Sequence, residues 1–334
     1  MKKVLSFGEL LLRLSPVLEN QWIQIASMPV YIGGAELNVA QALAKWNIPV
    51  KYFTALPDHY LSKEITAYIA AKNIDISAIQ FSGNRIGYYY LPQGVDLKNA
   101  EVIYDRDYSS FASLQPSTIN WNIILKDITW LHFSAINPAL NANTAAICKE
   151  ALIEARERGI TISIDLNYRS KLWQYGMNPV TIMPELVNYC NVVMGNLWAV
   201  ESLLGIRSVI KESTGKTNQE LISATGESMK SIHLTFPSVT TIAYTFRLNK
   251  SYFGVMQHGH DQVISKEIEL KNTIDKVGSG DCFMAGLIFG LINNHPLQDI
   301  IDYAAFAAVE KLYEMGDATS RTEKDIRVIM NGFK

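Results

Sequence analysis

The stretch Asp275-Lys276-Val277-Gly278-Ser279-Gly280-Asp281 runs directly into the apolar segment 282–291. The spacing of that segment predicts a helix that begins at the glycines. Gly278, Ser279 and Gly280 can direct successive backbone N–H groups to one point, and the helix dipole adds about half a positive charge there. The turn therefore predicts an anion site at the start of a buried helix.

Asp281 lies in the first turn of this predicted helix, beside the anion. A bound phosphate repels a neighbouring carboxylate, so the acid needs a chemical role at that place. The role available is to accept a proton from a hydroxyl group that attacks a phosphoryl group. Phosphoryl transfer is therefore the predicted chemistry. The alternative is an ordinary glycine-rich turn in which the acid only complements the helix dipole.

Composition limits the classes of function. A chain of 334 residues with 48% hydrophobic residues can bury the core of one large α/β domain or two small ones. A formal charge of −2 gives no basic surface for nucleic acid or an anionic membrane, so a small-molecule partner is expected. Cys148, Cys190 and Cys282 lie far apart in apolar segments, which is typical of reduced cysteines in a cytoplasmic protein. No signal peptide or membrane helix is expected.

Strand-like and helical segments alternate along most of the chain, which predicts a mostly parallel sheet covered by helices. The predicted strands are 4–7, 50–56, 128–134, 160–166, 191–194, 231–236, 241–248 and 252–256. The predicted helices are 34–46, 61–73, 143–158, 197–204, 282–291, 297–314 and 322–330.

Three further strand-like segments interrupt this alternation. Segment 22–28 alternates apolar and polar residues, and segments 85–92 and 100–106 follow one another with no helix between them. They predict a small antiparallel sheet that projects from the main fold, with lid segments at about 20–32 and 85–107. An apolar face on such a sheet needs cover from a ligand or a second subunit.

Polar groups are also expected near two other element ends. Asn38 lies just inside a second glycine-rich helix start at 33–40, where it is available to a polar ligand. Segment 167–169 follows a buried strand, at the sheet edge where open parallel sheets bind ligands. His258 and His260 lack a third metal ligand and are predicted to be turn histidines.

The two glycine-rich helix starts together resemble the signatures of the ribokinase-like, or PfkB, carbohydrate kinases, and the resemblance covers essentially the whole chain. Segments 8–16, 54–58, 102–106, 132–140 and 165–173 are similar to those of 2-keto-3-deoxygluconate kinases. The resemblance implies one kinase domain over 1–334, a three-layer α/β/α sandwich with a mostly parallel central sheet and a small antiparallel β lid. It also implies ATP and Mg²⁺ as cofactors and a homodimer formed through the lid strands.

The resemblance assigns roles to individual residues. Asp281 falls at the catalytic position together with Gly278, Ser279 and Gly280. The nucleotide positions are Asn196, Ser238, Gly278 and Gly280, and no metal ligand is assigned. The substrate positions are Gly33, Gly34, Asn38, Tyr89, Tyr104, Arg106, Ile136 and Arg169. Arginine binds carboxylates with a planar pair of donors and tyrosine offers a flat face and a hydroxyl group, so this set suits a sugar acid.

The expected reaction is ATP-dependent phosphorylation of the terminal primary hydroxyl of 2-keto-3-deoxy-D-gluconate, giving the 6-phosphate. Two alternatives remain open. One is a kinase of a neutral ketose such as fructose, in which Arg106 and Arg169 bind phosphate or structural carboxylates. The other is a non-catalytic relative that binds sugar acids. The chain departs from the family at Asn196-Leu197-Trp198-Ala199, where Asn-x-x-Glu is usual and Glu201 is the nearest acid.

Overall fold

The structure is a computed structural model that describes residues 2–16, 27–93 and 102–333. Within these ranges the strands are β1 Val4–Phe7, β2 Leu11–Leu14, β3 Val30–Gly33, β4 Val50–Phe53, β5 Ala55–Leu56, β6 Ile74–Asp75, β7 Gln80–Phe81, β8 Gly87–Tyr90, β9 Ile103–Asp105, β10 Trp130–Ser134, β11 Thr161–Asp165, β12 Val192–Gly195, β13 Thr241–Arg247, β14 Ser251–His258, β15 Asp261–Ile264 and β16 Ile268–Glu269. The α-helices are α1 Ala35–Lys45, α2 Tyr60–Ala70, α3 Trp121–Ile124, α4 Ala142–Glu157, α5 Pro179–Val187, α6 Leu197–Leu204, α7 Asn218–Thr235, α8 Ser279–Ile292, α9 Leu297–Leu312 and α10 Glu323–Gly332.

The main sheet follows the order β15-β14-β13-β12-β11-β10-β1-β4-β6, with β16 also paired to β14. The pairs from β13 to β6 are parallel, and the pairs made by β14 are antiparallel. Every residue of β1, β4, β10 and β12 is buried, as expected for strands covered on both faces. The predicted α/β class with a mostly parallel sheet is confirmed.

Helices cover both faces of this sheet, and each face has its own apolar core. One core gathers the buried side chains of α4, α5, α6 and α7, and the other those of α1, α2, α8 and α9. The close contact between α8 and α9 depends on Gly286, because a Cβ there would lie 2.6 Å from Ala304 Cα. No helix within the described residues combines the length and the apolar character needed to cross a membrane.

A second, four-stranded sheet has the order β3-β2-β8-β9 and forms the lid. The β2–β3 and β8–β9 pairs are antiparallel, whereas β2 and β8 run parallel. Strand β2 is therefore a central strand of the lid, although only residues 8–10 separate it from β1 of the main sheet. Residues 22–26 of the predicted strand 22–28, and 100–101 of the segment 100–106, lie outside the described residues.

The predicted strand 231–236 is wrong, because residues 231–235 form the last turns of α7. This helix begins with a capping box in which Thr217 and Glu220 pair reciprocally, and its buried side chains recur at helical spacing through Leu221, Thr225 and Ile232. That burial outweighs the local strand character of the final residues. The predicted strand 50–56 is divided at Thr54, with β4 in the main sheet and β5 paired to β7.

Candidate active site

A cavity of about 570 Å³ opens where the carboxyl ends of β11, β12 and β13 meet the lid. Both glycine-rich helix starts border it. Asp165, Gly195 and Arg247, at the ends of those three strands, line one side, and Tyr89 and Tyr104 of the lid line another. This is the edge at which open α/β sheets bind ligands.

Asp281 lies in the first turn of α8 and faces this cavity. Asn38 of α1 donates a hydrogen bond from Nδ2 to Asp281 Oδ2 at 2.7 Å, so the two helix starts meet at the carboxylate. Burial raises the pKa of Asp281 to about 6, although Asn38 and Arg169 act to lower it. A carboxyl group with this pKa is ionised at neutral pH and still basic enough to accept a proton, as a general base requires.

The turn before Asp281 exposes backbone donors to the same cavity. The first helical bond of α8 runs from Cys282 N to Gly278 O at 2.8 Å, so the N–H groups of Ser279 and Gly280 precede it and have no helical acceptor. Gly278 has a φ of 79°, and a Cβ there would lie 1.9 Å from the carbonyl oxygen of Asp317. A Cβ on Gly280, in contrast, would meet no described atom within 4 Å, which leaves room for a ligand.

Asp165 is a cavity residue that the sequence analysis did not select. It ends β11, and its Oδ1 accepts a hydrogen bond from Asn167 N at 3.1 Å. Burial, together with the charge of Asp281, raises the pKa of Asp165 to about 7, while Arg169 acts to lower it. The available signal was an acid at the carboxyl end of a buried strand, two residues before the selected segment 167–169.

The two predicted arginines both line the cavity, but only one of them forms a salt bridge with a described acid. Arg106 donates from Nε to Glu9 Oε2 at 2.8 Å and pairs with the same oxygen through Nη2, and both side chains are buried. Arg169 donates from Nη1 to the carbonyl oxygen of Tyr168 at 3.0 Å and forms no salt bridge with a described residue. Of these two arginines, Arg169 is therefore the one without a salt bridge to a described acid.

The lid contributes Tyr89 and Tyr104, whose ring centroids lie 6.3 Å apart. The Tyr89 hydroxyl donates to Asp317 Oδ2 at 2.9 Å, and burial raises the pKa of Tyr89 well above its ordinary value. Gly33 does not line the cavity. A Cβ on Gly33 would lie 2.2 Å from Asp317 Oδ2, so this glycine makes room for that carboxylate.

A second cavity of about 530 Å³ adjoins the first, and both are lined by Asn196, Trp198 and Lys276. Asn196 caps α6, because its Oδ1 accepts from Trp198 N at 3.1 Å and from Ala199 N at 2.9 Å. Glu201 lines neither cavity and pairs instead with Lys211 at 2.6 Å. The acid nearest to Ala199 in the sequence therefore lies outside both cavities.

The structure brings most of the predicted site residues together. The first cavity is lined by Gly34, Asn38, Tyr89, Tyr104, Arg106, Ile136, Arg169, Asn196, Gly278, Ser279, Gly280 and Asp281. Ser238 lies apart from them, just before the amino end of β13, and donates from Oγ to Asn188 O at 2.7 Å. No three acidic, histidine or cysteine side chains within the described ranges are grouped to hold a metal ion.

Comparison with known proteins identifies the class to which this fold and cavity belong. The model of the pfkB family carbohydrate kinases matches residues 1–324, so the chain belongs to that family. It is 26% identical over 332 residues to the 2-dehydro-3-deoxygalactonokinase of Haloferax volcanii, covering 99% of this chain and 97% of the relative.

Solved structures agree with this assignment. The 2-dehydro-3-deoxygluconokinase of Thermotoga maritima has a TM-score of 0.89 and 29% identity, covering 99% of this chain and 100% of its own. A putative ribokinase II from E. coli, solved in complex with ATP and Mg²⁺, has a TM-score of 0.75 over 99% of both chains. Its identity is 18%, so that likeness shows the fold alone.

Proposed function

We propose that this carbohydrate kinase transfers the γ-phosphoryl group of ATP to the terminal primary hydroxyl of 2-keto-3-deoxy-D-gluconate, giving the 6-phosphate. The observation that carries the proposal is the content of one cavity: a buried carboxylate, a helix start whose first N–H groups have no helical acceptor, and an arginine without a salt bridge to a described acid. These are the groups that deprotonation, phosphoryl transfer and recognition of a sugar acid require.

Asp281 is the proposed base. It accepts the proton of the attacking hydroxyl, and the hydrogen bond from Asn38 orients its carboxylate toward the cavity. The N–H groups at Gly278, Ser279 and Gly280 stabilise the negative charge that builds on the transferred group. Because these donors are fixed by the fold before the substrates arrive, no free energy is needed to reorganise them during the reaction.

Arg169 is the proposed partner of the sugar carboxylate. It forms no salt bridge with a described acid, although its charge acts on Asp165 and Asp281, whereas Arg106 is held by Glu9 through two of its nitrogens. The Glu9 pair leaves Nη1 of Arg106 for a hydroxyl or carboxylate oxygen of the sugar. Tyr104, whose ring centroid lies 5.8 Å from the Arg106 guanidinium, offers a flat face to the same ligand.

The adjoining cavity is the proposed nucleotide site. It carries Arg247 and Lys276, which suit a polyphosphate, Lys211, which is paired with Glu201, and the aromatic face of Trp198. Asp165 is the lining acid that would contact a Mg²⁺ carried by the nucleotide, since Mg²⁺ in such sites uses one or two carboxylates plus phosphate oxygens. When bound, that ion neutralises charge on the phosphates. Ser238 lines neither cavity, so it is not a proposed nucleotide ligand.

The homodimer through the lid strands remains a prediction. Val30 on β3 and Ile103 on β9 are 53% and 58% exposed, so both outer strands of the lid present apolar side chains.

Closure of the lid over the sugar would exclude water, which otherwise competes as the phosphoryl acceptor.

Two observations favour other acceptors. The similarity to a 2-dehydro-3-deoxygalactonokinase favours the C4 epimer, which shares the carboxylate, the ketone and the terminal hydroxyl. The Arg106–Glu9 pair favours a neutral ketose, because it uses one predicted carboxylate ligand in a structural ion pair. A non-catalytic sugar-acid binder is disfavoured, because such a protein has no use for a base beside an anion site.

The test is ATP-dependent ADP release with the two epimeric acids and fructose, with Asp281→Asn as the blank. Turnover of the gluconate acid that is lost in the variant is the expected result. Arg169→Ala should raise KM for the acid at least tenfold and leave KM for fructose nearly unchanged. Preference for the galactonate epimer or for fructose would replace the proposed acceptor, and binding without turnover would point to the non-catalytic alternative.

A further inference from the structure

Arg13 has a buried guanidinium that touches neither cavity. It extends from β2, the central strand of the lid, and its side chain is 3% exposed. Nη2 and Nη1 donate to the two carboxylate oxygens of Asp275 at 2.7 and 3.3 Å. Nε lies 2.7 Å from Asp317 Oδ1, a close ion-pair contact that lacks the alignment of a hydrogen bond. The Tyr31 ring covers the guanidinium, with 4.3 Å between Cζ and the ring centroid.

Both acids that Arg13 contacts support the anion turn. Asp275 Oδ1 accepts from Val277 N at 3.0 Å, immediately before Gly278, and Oδ2 accepts from Gly316 N at 3.1 Å. The carbonyl oxygen of Asp317 lies against the α-carbon of Gly278, closely enough to exclude any Cβ there. The orientation of the turn thus depends on where these two acids are held.

The same contacts reach the sugar side of the cavity. Asp317 accepts from the Tyr89 hydroxyl, and its carboxylate packs on Gly33 at the end of β3. A continuous chain of polar contacts therefore runs from Tyr89 through Asp317 and Arg13 to Asp275 and the turn. One side chain from the lid connects the wall of the sugar pocket to the donors of the phosphoryl site.

Charge explains why a guanidinium suits this position. Burial raises the pKa of Asp317, and the charge of Arg13 is the largest effect opposing that rise. Burial lowers the pKa of Arg13, but Asp317 and Asp275 outweigh it and raise the pKa above its ordinary value. Lys311 is buried nearby and donates to Glu314 O at 3.0 Å. A planar guanidinium can bind both oxygens of Asp275 along one edge while another nitrogen contacts Asp317, and an ammonium group lacks that planar pair of donors.

We propose that Arg13 is a positioning residue for phosphoryl transfer, which holds Asp275 and Asp317 so that the anion turn keeps its geometry and is coupled to the lid. The proposal rests on the proposed kinase function. Misplacement of catalytic donors by about 1 Å lowers turnover by about a hundredfold, so kcat should fall by about that factor when Arg13 is lost. KM for the sugar should change much less than kcat, because Arg13 does not contact the sugar and reaches Tyr89 only through Asp317.

The experiment compares Arg13→Ala and Arg13→Lys with wild type and with Arg85→Ala. Arg85 is a matched control, because it is a lid arginine paired with Asp105 at 2.5 Å on an exposed surface. We expect kcat to fall about a hundredfold in Arg13→Ala. Guanidinium ion at tens of millimolar should recover at least a tenth of the kcat that is lost. Arg13→Lys keeps the positive charge and shows whether the protein folds without the guanidinium group. It should fold, but its kcat should remain well below that of wild type.

Hydrogen exchange of the peptide that covers 276–282 gives a readout independent of activity. Its amides should exchange faster in both Arg13 variants and at the wild-type rate in Arg85→Ala. Unchanged exchange in folded Arg13 variants, wild-type kcat in Arg13→Lys, or rescue by K⁺ as strong as by guanidinium would overturn the proposal. If wild type phosphorylates none of the acceptors, the proposed function fails, and hydrogen exchange alone still decides whether Arg13 positions the turn.

Discussion

Replacing the proposed base should stabilise the protein. Burial raises the pKa of Asp281 from 3.8 to about 6, so the folded state holds the ionised carboxylate less favourably than the unfolded chain does. A group with a raised pKa destabilises the fold above that pKa, and the penalty disappears as the pH falls below the unfolded value. Asp281→Asn removes the charge and keeps an oxygen that can accept from Asn38.

The size of the effect follows from the shift. About two pKa units correspond to about 3 kcal/mol in the free energy of unfolding near pH 8, and about half of that remains near pH 5. For a chain of 334 residues, the entropy of unfolding is about 0.7 kcal/mol per degree. Asp281→Asn should therefore raise Tm by about 4 °C near pH 8 and by about 2 °C near pH 5.

The assay is thermal unfolding of the ligand-free protein at both pH values. Asp58→Asn is the matched control, because the Asp58 side chain is 69% exposed and its replacement removes no burial penalty. The control should unfold at the wild-type temperature at each pH. A folded Asp281→Asn variant with an unchanged or lower Tm near pH 8 would refute the reasoning, as would a gain of equal size at both pH values.

Three further predictions concern activity. The kcat/KM of wild type should fall about tenfold per pH unit below about pH 6, and Asn38→Ala should move that limb to higher pH, because it removes the hydrogen bond that lowers the pKa of Asp281 in the free enzyme. A limb at the same pH would contradict this role of Asn38. Gly278→Ala should lower Tm and abolish turnover, whereas Gly280→Ala should keep Tm and weaken ATP binding; equal stability losses would contradict the contact with Asp317. Ala199→Glu should lower the Mg²⁺ concentration needed for half-maximal rate, since Ala199 lines the cavity, and an unchanged Mg²⁺ dependence would argue against a missing acid.

The features that could be predicted from the sequence are those that a short segment encodes. The turn at 275–281 and the glycines at 33–34 carry their conformations locally, so the helix starts and the place of Asp281 follow from residue type alone. Strand and helix alternation similarly indicates the parallel sheet, because each buried strand and each amphipathic helix has its own periodicity.

The features that could not be predicted depend on contacts between distant segments. Arg13 and Asp275 are 262 positions apart, and nothing near either residue indicates the pair. The Arg106–Glu9 pair is of the same kind, and it changes which arginine is available to a carboxylate. Local strand character in 231–236 was misleading because burial along α7 determines that segment.

The connection between β1 and β2 ties one side of the first cavity to the body of the enzyme. Glu9 lies in this connection, and the neighbouring Leu10 N donates to Thr54 Oγ1 at 3.2 Å, so the acid that holds Arg106 is anchored to the body of the enzyme. Tyr104 lies instead on β9, an outer strand of the lid that pairs with β8. Because Arg106 directly follows β9, its ion pair with Glu9 ties this outer strand to the body at one end, and Tyr104 would cover a sugar that has already entered the cavity. Changes to Tyr104 should shorten the residence time of the sugar more than they slow its capture.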